Sequence, residues 1–256
     1  MHIKDLYTPH LIKRQRGRVL FFNRWLAVFL IFIALVAGGV AGWIVIFSPF
    51  SIRLRAAEYF ILTLGVSQTL DGAETISAAV RAGGGGGYII NDGEFLITAA
   101  AYSSFTDAET VRERMAAEWN ASIITVTVPR GRIPRFEDRR TDRQARQIIE
   151  YPLALIDIIL HQNLRLDLAD TTESAVLLML MHESETLLQN KRALENLLTA
   201  FPDSEVLISA LAFFTAFAAD FTNTISITNT DGSLTHRLKY FACMYINAYA
   251  YFRARL

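Results

Sequence analysis

Cysteine is nearly absent from this 256-residue chain, which contains Cys243 alone. No intrachain disulfide can form, so the fold must be held by its apolar core. Neither sign of charge is in excess, because 25 Lys and Arg balance 25 Asp and Glu. A nucleic-acid-binding surface needs clustered positive charge on the folded part, so we expect no nucleic acid partner. Cys243 has apolar and aromatic neighbours, and we interpret it as a small buried side chain.

The sequence also lacks the common catalytic and cofactor motifs. It has no H-E-x-x-H zinc motif and no serine nucleophile elbow. The glycine run in Ala82–Gly87 precedes a predicted strand and has no Lys-Ser/Thr after it, which is the wrong order for a phosphate-binding loop. We interpret it as a flexible hinge. We assign surface or packing roles to His161, His182 and His236. The sequence therefore predicts that the protein is not an enzyme and has no catalytic residues, no metal site and no cofactor.

A run of 23 uncharged residues extends from Trp25 to Phe47. At about 1.5 Å per residue it is long enough to cross the roughly 30 Å hydrocarbon layer of a bilayer. A cleaved signal peptide is the main alternative, but its apolar region usually has about 7 to 15 residues. Six Lys and Arg precede the run, against the single acid Asp5. The positive-inside rule therefore predicts a single-pass protein of the cell membrane with a cytoplasmic N-terminus and an extracytoplasmic C-terminal portion.

Small residues in this run suggest how two copies would meet. Gly38 and Gly42 form a G-x-x-x-G motif, which lets two membrane helices approach closely. The motif permits a homodimer through these two glycines. The alternative is that small residues are simply common in membrane helices.

The fold class we predict is α+β, because β-type patterning follows the membrane run and helical patterning follows that. With 52% hydrophobic and 20% charged residues, enough apolar side chain remains for a core outside the membrane. The predicted organisation is a cytoplasmic basic arm (1–24), a transmembrane helix (25–47), a helical stalk (48–81), a small α/β unit (82–129), an Arg-rich linker (130–140) and a mostly helical C-terminal bundle (141–256).

The α/β unit is the part with the clearest local signals. Strands are predicted at Tyr88–Ile90 and Glu94–Tyr102, joined by a tight turn containing Asp92-Gly93. Thr106 and Glu109 have the spacing of a capping box at a helix start. The β-branched run Ser122–Val128 predicts a further strand. The pattern is therefore a β-α-β or β-hairpin-α-β unit of about 40 residues.

Arginine is concentrated after this unit. Five arginines lie between residues 130 and 140, and Arg143 and Arg146 follow. An anionic wall polymer or a lipid headgroup is one ligand for such a segment. The alternative is a solvated charged linker, because Glu137, Asp138 and Asp142 dilute the positive charge.

The remainder of the chain has helical patterning. The first helix begins near Thr141 and should kink or restart at Pro152. Further helices are predicted over about 172–200, from 204 to near 227, and from 234 onward. The most hydrophobic stretch, Val206–Ala219, has 14 residues, which is short for a membrane span and suits the middle of a bundle.

The residues from Tyr88 to Val128 resemble the SPOR domain, the sporulation-related, peptidoglycan-binding module of bacterial envelope proteins. That family's motif is aromatic-x-Val-Gln-Val-Gly-Ala-Phe-Ser, and Phe95–Ser103 (FLITAAAYS) matches it by register, with Thr98 in place of Gln and Ala100 in place of Gly. Ala108 takes the inward position of the following helix. The resemblance covers about residues 86–128, and a second β-α-β half is not evident after Val128.

The resemblance implies binding of glycan strands that lack stem peptides, across the face of a sheet built from both halves. The implied ligand-binding residues are Tyr88, Phe95, Thr98 and Tyr102. It also implies that the chain is a membrane-anchored envelope protein whose partners are peptidoglycan or division and sporulation proteins. The alternative is a structural scaffold whose helical bundle binds another membrane protein without binding glycan.

Overall fold

In the computed structural model of this chain, the described residues are 51–116, 118–136, 138–226 and 233–256. The predicted basic arm and membrane helix, with Gly38 and Gly42, lie outside them. Phe50–Leu256 form one compact unit. The described strands are β1 (Ser51–Arg53), β2 (Ala57–Ser67), β3 (Tyr88–Asn91), β4 (Phe95–Tyr102), β5 (Ser122–Val128) and β6 (Arg132–Pro134). The described helices are α1 (Leu70–Ala82), α2 (Phe105–Met115), α3 (Arg139–Asp167), α4 (Glu173–Ala200), α5 (Glu205–Ile225) and α6 (Leu234–Ala254).

The main sheet has four antiparallel strands in the order β3-β4-β2-β5. Along the chain its elements read β2-α1-β3-β4-α2-β5, which is the β-α-β-β-α-β arrangement of ferredoxin-like folds. A separate two-stranded ladder pairs β1 with β6. The mixed α+β class is confirmed, and the unit predicted as β-α-β or β-hairpin-α-β supplies three of the four strands of this sheet.

The helical stalk predicted for residues 48–81 is wrong in its first part. Residues 57–67 form β2, an inner strand of the sheet that is covered on both faces. Ile61, Leu62 and Leu64 are all buried, so the apolar residues do not alternate and the period of a strand is hidden. The later part of the predicted stalk is helical, as α1, which begins after Thr69, whose side chain accepts a hydrogen bond from the Gly72 N–H.

The structure also corrects the predicted linker, the predicted starts of two helices and the predicted break at Pro152. Arg132–Pro134, within the predicted linker, is the strand β6 paired with β1. The caps of two helices precede the residues we predicted, because Ser104 caps α2 and Asp138 caps α3. The helix α3 continues through Pro152 to Asp167 rather than restarting there. The β3–β4 hairpin, β5 and the last three helices are confirmed within a few residues.

The glycine run is an ordered loop, where we predicted a flexible hinge. The N–H groups of Gly86 and Gly87 donate to the carbonyls of Ala99 and Thr98, at 2.6 and 2.8 Å, which prolongs the β3–β4 ladder. Gly85 donates to Val80 at the end of α1. Gly87 has a φ of +70°, which favours glycine.

The helices α3 to α6 pack together and form a C-terminal bundle. Phe214, Phe217 and Phe221 of α5 are fully buried, and the rings of Phe217 and Phe221 contact Phe241 of α6 in edge-to-face or tilted arrangements. Within the described residues α5 is also long and apolar enough to cross a membrane, with a mean hydropathy of 1.5 and a third of that stretch buried. Its three buried phenylalanines instead form part of the bundle core.

Candidate functional site: the two faces of the sheet

The four residues implied as ligand contacts all lie on β3 and β4, but they do not share one face. Tyr88 and Thr98 are partners in the β3–β4 register and face α6. Phe95 and Tyr102 belong to the core on the opposite face, where α1 and α2 pack. Thr98 is fully buried and Tyr102 is nearly so. These four side chains therefore cannot meet one ligand on a single open surface.

The sheet is built from two similar halves, a feature that our sequence interpretation missed. The helices α1 and α2 begin 35 residues apart, at Leu70 and Phe105, and each is capped by the hydroxyl of the preceding residue. Ala73 and Ala108, again 35 apart, are both fully buried against the sheet. The first half is thus β2-α1-β3. Its strand β2 and helix α1 precede the matched segment in the chain, whereas we had looked for a second half after Val128.

The repeat includes the sequences of the strands β2 and β4. Phe60–Val66 (FILTLGV) matches Phe95–Ala101 (FLITAAA) at the same 35-residue offset. Gly65 stands at the position of the family's glycine, where β4 has Ala100. Thr63 and Thr98 are direct partners between β2 and β4. A comparison of the chain with itself at this offset could have found the half that seemed to be missing.

One face of the sheet is covered by the chain's own C-terminal helix. Five sheet residues share a core with α3 and α6, and all are at most 7% exposed: Tyr59, Ile61, Ile90, Ala101 and Val128. The ring of Tyr88 packs edge to face on Tyr240 of α6, with centroids 5.5 Å apart. The Thr98 hydroxyl donates to the Tyr88 carbonyl at 3.0 Å and lies beside the Cys243 thiol of α6. A ligand in solution therefore cannot reach this face of the sheet.

Gly86 allows the close approach of α6 to the loop that precedes β3. A Cβ atom at Gly86 would lie 2.8 Å from the Tyr240 nitrogen and 2.9 Å from the Lys239 carbonyl carbon. Both are main-chain atoms of a helix, so they cannot move aside as a side chain can. Lys239 Nζ and His236 Nδ1 also donate to the carbonyls of Gly84 and Gly85, at 3.2 and 2.8 Å.

Polar contacts fix the position of the helices on this face. The Tyr59 hydroxyl donates to Asp157 Oδ1 of α3 at 2.7 Å, and burial raises the pKa of Tyr59. The Tyr249 hydroxyl of α6 donates to the Ile149 carbonyl at 2.8 Å. At the other end of α6, Lys239 forms an ion pair with Asp167 at 2.8 Å. A sheet residue and two different helices are thereby held at defined points.

Arg253 ties the end of α6 to the start of β2 and the end of β5. Its guanidinium donates to the Arg55 carbonyl at 2.9 Å, to the Pro129 carbonyl at 3.3 Å and to the Tyr249 hydroxyl at 3.1 Å. The side chain is only 1% exposed, although arginine is almost never fully buried unless it is paired. Among the described residues its partners are neutral oxygens. The contact therefore depends on hydrogen bonds and packing.

Two titratable groups of α6 face the sheet and the glycine loop. Burial raises the pKa of the Cys243 thiol to about 12, so the thiol is protonated at neutral pH and is a poor nucleophile. This agrees with Cys243 as a structural residue. Burial also lowers the pKa of His236, and the nearby cations Arg81, Lys239 and Arg237 lower it further. The neutral imidazole is the form that fits against the glycine loop.

The outer surface of the bundle carries exposed apolar side chains. On α4, Leu178, Met181 and Leu188 recur at spacings that put them on one side of the helix, with Glu185 between them. Leu178 is 70% exposed. Ile208 on α5 is exposed as well. We call Leu178, Met181 and Leu188 the α4 stripe.

The three histidines in the described part of the chain do not converge on a common site. His161 and His182 are exposed, and His236 contacts the glycine loop. Across the described ranges, no group of three or more His, Cys, Asp or Glu side chains is arranged to hold a metal ion.

Comparisons with known proteins give a single partial likeness. No protein-family model matches the chain. No curated protein matches it either. Among solved structures, the chain is similar to the solution structure of the peptidoglycan-binding domain of the Bacillus subtilis cell wall lytic enzyme CwlC. The match has 21% identity and a TM-score of 0.25, and it covers 27% of this chain and 90% of that one.

Proposed function

We propose that this chain is a membrane-anchored, extracytoplasmic envelope protein that acts as a scaffold, binding another membrane protein through its helical bundle. The observation that carries the proposal is the covered sheet face, on which Thr98 is fully buried beneath α6. The sheet serves as an internal platform for α3 and α6. The proposed role is binding without catalysis.

The free energy of opening this face argues against glycan binding there. Fully burying an apolar side chain stabilises a fold by about 1.5 to 3 kcal/mol. Lifting the helices would expose at least Ile61, Ile90 and Val128, together with the ring of Tyr59. The cost is therefore about 6 to 12 kcal/mol. A micromolar ligand supplies about 8 kcal/mol in total, so opening the face would consume most or all of its binding free energy.

The α4 stripe supports a protein partner in the same membrane. The stripe is apolar and exposed, and a tethered chain meets other membrane proteins at high local concentration. The partner chemistry that fits is an apolar helical segment. The resemblance adds division and sporulation proteins as the partner class.

A site-specific crosslinking experiment in cells tests this interface. A photo-crosslinking residue at Leu178 should yield one discrete species containing an integral membrane protein, and Met181→Asp in the same chain should abolish it. The matched control is the crosslinker at Glu113, an exposed residue of α2. Equal crosslinking from both positions, or crosslinking that survives Met181→Asp, would contradict the proposed interface.

The second candidate function is peptidoglycan binding through the SPOR-like module. It is favoured by the β-α-β-β-α-β order, because the resemblance implies a sheet with two halves and the chain has both. In this function α6 must leave the sheet before glycan can bind. The two candidates therefore differ in whether α6 moves.

An engineered disulfide separates these candidates. Thr98 contacts the single native cysteine, so Thr98→Cys places a second thiol beside Cys243 and lets α6 be locked to β4 by oxidation. The full-length chain in detergent is then mixed with purified sacculi, oxidised and reduced. Thr125→Cys, on the opposite side of the sheet, is the control. The scaffold proposal predicts no retention over a control protein in either state, whereas retention in the reduced state alone would favour glycan binding.

A further inference from the structure

A groove of about 580 Å³ lies where β1, the segment after β6 and the start of α3 meet. Three of its arginines, Arg139, Arg143 and Arg146, recur at four- and three-residue steps along one face of α3. The chain brings two more from other segments to the same groove. The five arginines that line it are Arg53, Arg135, Arg139, Arg143 and Arg146.

Positive charge in this groove is only partly neutralised. Within the described ranges, Asp142 is the one carboxylate in the lining; it lies 3.8 Å from the Arg135 guanidinium and accepts a hydrogen bond from the Phe136 N–H. Arg146 pairs with Glu150 at 3.2 Å. Among the described residues, Arg53 and Arg139 form no ion pair. The groove therefore carries a surplus of exposed guanidinium groups.

The position of the groove in the sequence indicates what these groups meet. Ser51 lines the groove, and only three residues separate it from Phe47, the last residue of the predicted membrane helix. A chain spans at most about 3.6 Å per residue, so Ser51 lies within roughly 14 Å of that helix end. The polar headgroup regions together add about 10 to 15 Å to the thickness of a bilayer, or about 5 to 8 Å on each side, which is less than this maximum distance.

We propose that this groove binds the phosphate groups of anionic membrane lipids. A guanidinium donates two parallel hydrogen bonds to a phosphate, and several guanidinium groups on three segments can hold one or two headgroups. The inference rests on the membrane anchoring in the proposed function. A lipid is favoured over a wall polymer because only three residues link Ser51 to the predicted membrane helix, so lipid headgroups are present at high local concentration.

Arginine footprinting on the unmodified full-length chain tests this inference. The chain is reconstituted into nanodiscs of phosphatidylglycerol or of phosphatidylcholine, treated with phenylglyoxal and analysed by peptide mass spectrometry. In phosphatidylglycerol we expect Arg53, Arg139 and Arg143 to react at about one fifth of their rate in phosphatidylcholine, or more slowly still. Arg114 and Arg192, exposed on α2 and α4, are internal controls and should react equally in both lipids.

Equal reaction of the groove arginines in both lipids would overturn the proposal. Soluble glycerol phosphate polymer added to phosphatidylcholine nanodiscs is the third arm, and protection in that arm alone would also overturn it, in favour of a wall polymer. Co-elution of the chain with the nanodisc after an alkaline wash measures anchoring separately. Anchoring without protection contradicts this inference alone, whereas loss of anchoring contradicts the proposed function as well.

A pair of double variants provides the affinity measurement. Arg53→Gln with Arg139→Gln should weaken binding of a short-chain phosphatidylglycerol to the full-length chain by about tenfold or more. Arg114→Gln with Arg192→Gln removes the same charge elsewhere and should leave binding unchanged. Equal weakening by the two pairs would show a general charge effect and overturn the assignment to the groove.

Discussion

The two faces of the main sheet are buried in different ways. The face under α1 and α2 is closed mainly by small apolar contacts from two similar halves, with Ala73 and Ala108 at equivalent places. The face under α3 and α6 is also apolar, but hydrogen bonds from the buried side chains of Tyr59, Tyr249 and Arg253 fix the helices on it. The first face is thus an internal repeat of the module. The second is specified by individual contacts between distant parts of the chain.

The largest effect on the second face should come from Arg253→Met. The change leaves the Arg55 and Pro129 carbonyls without their donor, and unsatisfied buried groups cost about 1 to 3 kcal/mol each. We expect the free energy of unfolding to fall by about 3 kcal/mol, measured by thermal and urea denaturation in mild detergent with circular dichroism. Arg255→Met, at an exposed position near Tyr251, should change it by less than about 0.5 kcal/mol. Equal losses for both variants would remove the special role of Arg253.

Gly86→Ala tests the close approach of α6 to the glycine loop. The added methyl group collides with the main chain of Lys239 and Tyr240, and overpacking of this kind costs about 1 to 3 kcal/mol. Gly83→Ala is the matched control, because a Cβ there makes only ordinary contacts at 3.5 Å and the backbone φ is −83°. The same denaturation measurement should show a loss for the first variant and almost none for the second. A neutral Gly86→Ala would mean that α6 does not pack as described.

The opposite face can be tested through its repeat. Ala73→Leu and Ala108→Leu each force a larger side chain into the fully buried position between helix and sheet. We expect similar losses of about 1 to 3 kcal/mol from the two variants, since the positions are equivalent. Ala79→Leu, on the exposed side of α1, should have little effect. A large loss at one alanine and none at the other would contradict the equivalence of the two halves.

The smallest expected effect is a dependence on pH through His236. Its folded-state pKa is lowered by burial and by nearby cations, so the unfolded chain takes up the proton first as the pH falls. Above the ordinary imidazole pKa of about 6.5, His236 is neutral in both states and does not change the free energy of unfolding. Below that pH the free energy of unfolding falls on acidification, until the folded histidine is also protonated. His236→Gln should reduce the loss of unfolding free energy between pH 7 and pH 5.5. An unchanged pH profile in the variant would exclude His236 as its source.

The sequence was informative where the signals are local. The Asp92-Gly93 turn, the β-branched run Ser122–Val128 and the spacing of apolar residues predicted the second half of the sheet and the last three helices. The strand β2 was missed because both of its faces are buried, which removes the alternation that identifies a strand. The predicted N-cap of α2, Thr106, lies two residues after the observed N-cap, Ser104. Both hydroxyl side chains can cap a helix, and the sequence alone did not distinguish them.

The covered face could not be predicted by the same means. The contacts that create it join residues 151 and 198 positions apart, such as His236 with Gly85 and Arg253 with Arg55. No period or motif records such pairs in a single sequence. The resemblance therefore implied ligand contacts at Tyr88 and Thr98, which in the structure contact α6 of the same chain.

The reactivity of Cys243 tests most directly whether α6 closes the second face. It is the chain's single cysteine, it is fully buried, and its side chain on α6 faces Thr98 of the sheet. Maleimide labelling of the native full-length chain at pH 7.5 should proceed only as fast as global unfolding, with and without sacculi. Rapid labelling under native conditions, or labelling accelerated by sacculi, would show that the helix leaves the sheet and would contradict the account.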